Sequence, residues 1–112
     1  PAVDVAASDY IVDKTCNGAF TATELEHVLR AQDVTHLLFT GCTTDVCVHT
    51  TLREACDRNF QCLTVEDGVA SGDRLAHEAG LHMITVEDGI FGTVAPASAV
   101  IEGLGRLAAG GR

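Results

Sequence analysis

The chain has no tryptophan, and aromatic residues make up only 4% of it. With so few large rings, the core is expected to rest on Val, Leu, Ile and Ala. Apolar residues form 46% of the 112 positions, a balance that fits a folded domain rather than a disordered chain. That length holds one domain over 1–112 and is too short for two. Basic residues are scarce, 7 against 16 acids, for a net charge of −9. Without a basic face the sequence argues against binding nucleic acid or anionic membranes. An acidic, solvated surface is the simpler reading. No apolar run reaches membrane-spanning length. The opening "PAVDVAASDY" lacks the basic stretch and apolar run of a secretion signal. A cytoplasmic protein is expected. There is no initiating Met, so the expectation is a fragment, a processed product or a partial sequence.

Cys-x-x-Cys is also absent, which excludes a thioredoxin-like motif. Cys16, Cys42, Cys47, Cys56 and Cys62 form an odd set without paired spacing, as free thiols in a reducing compartment do. A disulfide between Cys42 and Cys47 would close a tight loop across a helix start. A zinc site of Cys42, Cys47 and His49 lacks a fourth ligand. His27, His36, His49, His77 and His82 show no metal spacing and read as surface or boundary residues. No metal and no organic cofactor are expected.

What is present alternates regularly. "DYIVDK" (9–14) predicts a strand, and "NGAF" (17–20) a turn. "TATELEHVLRAQ" (21–32) predicts a helix with Thr21 and Glu24 as a capping box. "VTHLLFTG" (34–41) predicts a buried parallel strand. "DVCVHTTLREACDRN" (45–59) predicts a helix capped by Asp45, with Val48, Leu52, Ala55 and Cys56 on one face. Strands are predicted at 60–68 and 83–89, helices at 74–82 and 95–110, with fraying in the terminal "AAGGR". The order implies an α/β fold: an open parallel sheet with helices on both faces. "TVEDG" occurs at 64–68 and again at 85–89, each predicted to mark the carboxyl end of a strand. Sites collect along that edge.

This places Cys47 in the first turn of a helix at the sheet's carboxyl edge. Helix N-termini stabilise negative charge, and thiols there react more readily as thiolates. Cys42 lies in the preceding turn, where its backbone matters more than its sulfur. Lys14 ends the first predicted strand and is expected at the same edge, where a cation beside a thiol favours the thiolate. The alternative is a buried, inert Cys47.

"VDKTCNGAFTATELEHVL", "LLFTGCTTDVCVHTTLREACDRNF", "CLTVEDGVAS" and "GIFG" resemble the isochorismatase-like cysteine hydrolases over about residues 9–104. Within that superfamily the chain looks closest to the biuret hydrolase type of amidohydrolase and less like the nicotinamidases. The resemblance implies a Rossmann-like three-layer α/β/α fold. It implies Cys47 as nucleophile, Lys14 as its catalytic partner, a cis peptide between Cys42 and Thr43, and an oxyanion hole from the N–H groups of Thr43 and Cys47. It implies a small-molecule amide or ureide substrate and a thioester intermediate. The family's catalytic Asp, which follows an N-terminal apolar strand, finds no match here: Asp4, Asp9 and Asp13 lie in the wrong context. Some members bind a metal through residues N-terminal to this region. The resemblance thus implies missing N-terminal strands and an edge covered by a homo-oligomer or a companion N-terminal chain. A non-catalytic remnant acting as an assembly module is the alternative. An isochorismatase-type vinyl ether hydrolase is a weaker one, because that branch works without the Cys.

Overall fold

The computed structural model describes residues 4–110. Expectations that touch Pro1, and the part of the fraying segment at 111–112, lie outside the described residues. The elements are α1 (Leu25–Ala31), β1 (His36–Cys42), a π-helical turn (Thr44–Val48), α2 (His49–Asp57), β2 (Gln61–Ala70), α3 (Arg74–Thr85), β3 (Thr93–Ala95) and α4 (Ala97–Ala109). The three strands form one parallel sheet in the order β1-β2-β3. Parallel neighbours require crossovers, and α2 and α3 supply them.

Strand alternation decides where the helices lie. Leu37, Phe39 and Cys62 pack with Phe20, Leu52, Ala55, Phe60 and Ile84. That face is covered by α2, α3 and the segment around Phe20. Leu38 and Leu63, one residue along, point to the other face. There they share a groove with Val100, Leu104 and Leu107 of α4. Helices therefore lie on both faces, as the alternation predicts. Leu52 and Ile84 are fully buried. Each such side chain contributes about 1.5–3 kcal/mol relative to exposure. Among the described residues β1 pairs on one side only, and Leu38 is 50% exposed.

Two predicted strands are corrected. Residues 9–14 form no strand; Tyr10 and Ile11 are exposed, and among the described residues no neighbouring strand offers a ladder to them. Residues 83–89 are not a strand either. α3 runs on through Thr85 because Ile84 falls one turn after Gly80, on the buried stripe. Glu87, Asp88 and Gly89 then take φ of 55°, 59° and 74°, a left-handed run that ends the helix in a turn. The third strand lies further on, at Thr93–Ala95. Gly92, with φ 97°, leads into it, and a Cβ there would lie 2.1 Å from the carbonyl oxygen of Cys62.

The first "TVEDG" does not end a strand; β2 continues to Ala70. Phe39 pairs with Thr64 and Gly41 with Val69, so residues 65–68 stand against Thr40 alone. This bulge carries Asp67 to the start of α4, where its Oδ1 accepts the N–H of Ala97 at 2.7 Å.

Candidate active site

β1 ends at Cys42, and the Cys42–Thr43 peptide bond is cis. The chain then enters a π-helical turn before α2. The carbonyl of Thr43 accepts the N–H groups of Val46 (3.2 Å) and Val48 (3.1 Å). Neither bond uses the N–H of Cys47. Single π turns of this kind are frequent at functional sites. The expected Asp45 cap is corrected: Thr43 occupies the cap position, and no side chain caps it. The Asp45 carboxylate is instead hydrogen-bonded by Ser71, which, with its own backbone N–H, holds it below the usual carboxylate range.

Cys47 is half-buried in this turn. Lys14 Nζ lies 3.6 Å from its sulfur. The same ammonium donates to the carbonyls of Cys16 at 2.9 Å and Asn17 at 3.1 Å. An ammonium has three donors, and these partners use all three. The lysine is therefore held by its own loop, with one proton aimed at the thiol. The two residues meet although 9–14 is not a strand.

Cys47 and Cys42 line a cleft of about 220 Å³ with Ala19, Phe39, Thr40 and Thr51. A larger groove of about 450 Å³ runs along the same helix past Asp45, His49, Arg53, Asp57 and Met83. It holds neither thiol nor lysine. The smaller cleft is the candidate site, because it is lined by Cys47, the thiol that Lys14 Nζ approaches. No carboxylate hydrogen-bonds Cys47 among the described residues, and no cluster of His, Cys, Asp or Glu suited to a metal occurs among them.

The other cysteines divide by depth. All five are free; Cys16 is exposed, Cys56 half-buried and Cys62 buried. Burial, then the neighbouring Cys56, pushes the Cys62 thiol up to about 12. The reading of every histidine as a surface or boundary residue fails at His49, which is buried. His49 Nε2 lies 3.0 Å from the Gly80 carbonyl, and Arg53 Nε donates to its Nδ1 at 3.1 Å. A position two residues from Cys47 faces away from the thiol and into the contact with α3. His77 is half-buried against Thr44, 2.7 Å from its hydroxyl, whereas His27, His36 and His82 are exposed.

The capping box of Thr21 and Glu24 is also absent. Glu24 accepts from the Tyr10 hydroxyl, and Thr21 donates to Glu54. Glu54 and Thr51 are residues that sequence reasoning passed over. Both touch the segment that follows Lys14: Thr51 Oγ1 accepts the N–H of Ala19, and Glu54 Oε1 that of Phe20, each at 3.0 Å. The available signal was spacing, since Thr51 and Glu54 follow Cys47 by four and seven residues, on one helical face.

A family model described as "Isochorismatase domain" matches residues 1–98. The ureidoacrylate amidohydrolase RutB of Yersinia enterocolitica is 35% identical over 79 residues, covering 70% of this chain and 34% of its own. An isochorismatase-like hydrolase from Alkaliphilus metalliredigens superposes with a TM-score of 0.86 at 29% identity, covering 93% of this chain and 55% of that one. The nicotinamidase PncA of Bacillus subtilis superposes with a TM-score of 0.69 at 35% identity over 73% of this chain and 44% of that one. The chain thus spans about a third of the length of the curated relative and about half that of the solved structures.

Proposed function

The chain belongs to the isochorismatase domain family, and on that footing we propose that it carries the nucleophile half of a cysteine amidohydrolase acting on a small amide or ureide. The observation that carries this reading is the 3.6 Å approach of Lys14 Nζ to Cys47 Sγ, a sulfur whose residue lines a cleft. The ureide class is supported by the ureidoacrylate amidohydrolase among its relatives.

The chemistry follows from the groups. The Cys47 thiol gives its proton to a carboxylate supplied from outside residues 4–110. Its sulfur attacks the substrate carbonyl carbon. The resulting oxyanion takes hydrogen bonds from the N–H groups of Thr43 and Cys47. The C–N bond breaks, the base returns the proton to the departing nitrogen, and a thioester remains. Water, deprotonated by the same carboxylate, then releases the acid and restores the thiol. Lys14 favours the thiolate throughout and, with its other protons on Cys16 and Asn17, stays fixed. A companion chain or a second copy, laid against the edge of β1 that is unpaired among the described residues, is the proposed source of that carboxylate. The five free cysteines suit a cytoplasmic setting.

The test is ammonia release from ureidoacrylate, biuret and nicotinamide, with mass spectrometry of Cys47 after rapid quench. Turnover of a ureide with an acyl mass on Cys47, both lost in Cys47→Ala, is expected. Turnover that survives Cys47→Ala overturns the reading.

A second reading rests on the lack of a carboxylate hydrogen-bonded to Cys47 among the described residues: a non-catalytic remnant that serves as an assembly module. Failure of every substrate, with the chain bound stably to a partner through β1, supports it.

A further inference from the structure

Lys14 has no strand beneath it, yet its amine is placed to within hydrogen-bonding distance of a thiol 33 residues away. Something other than a sheet ladder must fix its segment. The contacts of 18–21 identify it. The carboxylate of Glu54 accepts the N–H of Phe20 on one oxygen and the hydroxyl of Thr21 on the other. Thr51 Oγ1 takes the N–H of Ala19. Gly18 is buried against the same carboxylate, so closely that a Cβ on it would lie 2.3 Å from Glu54 Oε1. Four consecutive residues therefore rest on two side chains of α2. The carbonyls that hold the Lys14 ammonium belong to Cys16 and Asn17, directly before this clamp. Phe20 locks the far side, buried against the Phe60 ring at 5.9 Å between centroids.

We propose that Glu54, assisted by Thr51, is a positioning residue: it grips the backbone of 18–21 and so sets the separation of Lys14 from Cys47. The inference rests on the lysine–thiolate reading above. Nucleophile and clamp share one helix, so the lysine is registered directly to the thiol it serves. Glu54 does not line the cleft and makes no hydrogen bond to the thiol.

The experiment uses the full chain and two readouts: amide exchange at Ala19 and Phe20, and the pH profile of Cys47 alkylation by iodoacetamide, read on the Cys47 peptide. Lys14→Met sets the scale for loss of the lysine. Glu54→Ala is expected to speed exchange at both amides at least about tenfold and to move the alkylation profile to higher pH, as far as Lys14→Met does. Glu54→Gln keeps one carbonyl acceptor and should move both readouts less. The double variant Lys14→Met/Glu54→Ala should move the profile no further than Lys14→Met alone. A Glu54→Ala protein with protected amides and an unmoved profile, while Lys14→Met shifts it, overturns the clamp. An unmoved profile in Lys14→Met overturns the lysine–thiolate reading instead, and amide exchange in Glu54→Ala then decides the clamp alone. Should Glu54→Ala fail to fold, Thr51→Val, which removes the acceptor for Ala19 and keeps the side chain's shape, is held to the same outcomes at Ala19.

Discussion

The Nε2 of His49 lies 3.0 Å from the carbonyl of Gly80, while its Nδ1 accepts from Arg53. An imidazole that accepts at Nδ1 must carry its proton on Nε2, so the ring is neutral and both nitrogens are used. Burial, with a smaller effect of the Arg53 charge, lowers the pKa of His49 from 6.5. A depressed histidine binds its proton more readily in the unfolded chain. Its contribution to stability is therefore present above pH 6.5 and is lost as pH falls from there toward the folded value. Thermal midpoints measured between pH 7.5 and 5 should fall more steeply in the natural protein than in His49→Gln. Parallel slopes would refute this.

Gly92 and the glycines of α4 should respond to alanine with opposite signs. At Gly92 the backbone is left-handed and the new Cβ would meet the Cys62 carbonyl. Gly92→Ala should cost at least about 2 kcal/mol and detach β3. At Gly103 and Gly105 nothing lies within 4 Å. Alanine there should stabilise α4 by about 0.5–1 kcal/mol each. Urea midpoints check both.

Thr64 is fully buried, and its hydroxyl is unpartnered among the described residues. Valine keeps the shape and removes the unpaired polar atom. Thr64→Val should raise stability by about 1 kcal/mol. A loss of stability in urea denaturation would show that the hydroxyl has a partner.

Cys62 should be silent toward thiol reagents in the native protein, since its thiol is pushed up to about 12. Cys56 is raised in the same direction, chiefly by burial. A raised thiol contributes stability below the unfolded value of 9.0, and that contribution is lost as pH rises from there. Peptide-resolved labelling at pH 8 should modify the exposed Cys16 and Cys42 in the folded state, and Cys62 only after denaturation. Fast native labelling of Cys62 would contradict its burial.

Much of this architecture is legible in the residues themselves. β1, β2, α2 and α4 announce themselves through continuous apolar runs and helical stripes. "MITVEDG" misleads because a short apolar run suits a strand or a helix equally, and the packing of Ile84 decided for the helix. The two copies of "TVEDG" make the point sharply: one bulges from a strand and the other turns out of a helix. Of the candidate site, Cys47 and Lys14 could be named because thiol and amine chemistry is specific to residue type. Glu54 could not, because its partners are backbone groups of 18–21, and a backbone N–H leaves no mark in a sequence.

The excursion in β2 has a further consequence. Pairing resumes at Gly41 and Val69 after four residues have been set aside. The length of chain between Thr64 and Val69 is thus uncoupled from the position of Cys42. A Cβ added at Gly68 would lie 3.2 Å from the Thr40 side chain, which lines the thiol's cleft. Val65 is paired with Ala95 and Asp67 accepts from Ala97, so the residues that leave the ladder with β1 are the ones that hold β3 and the start of α4.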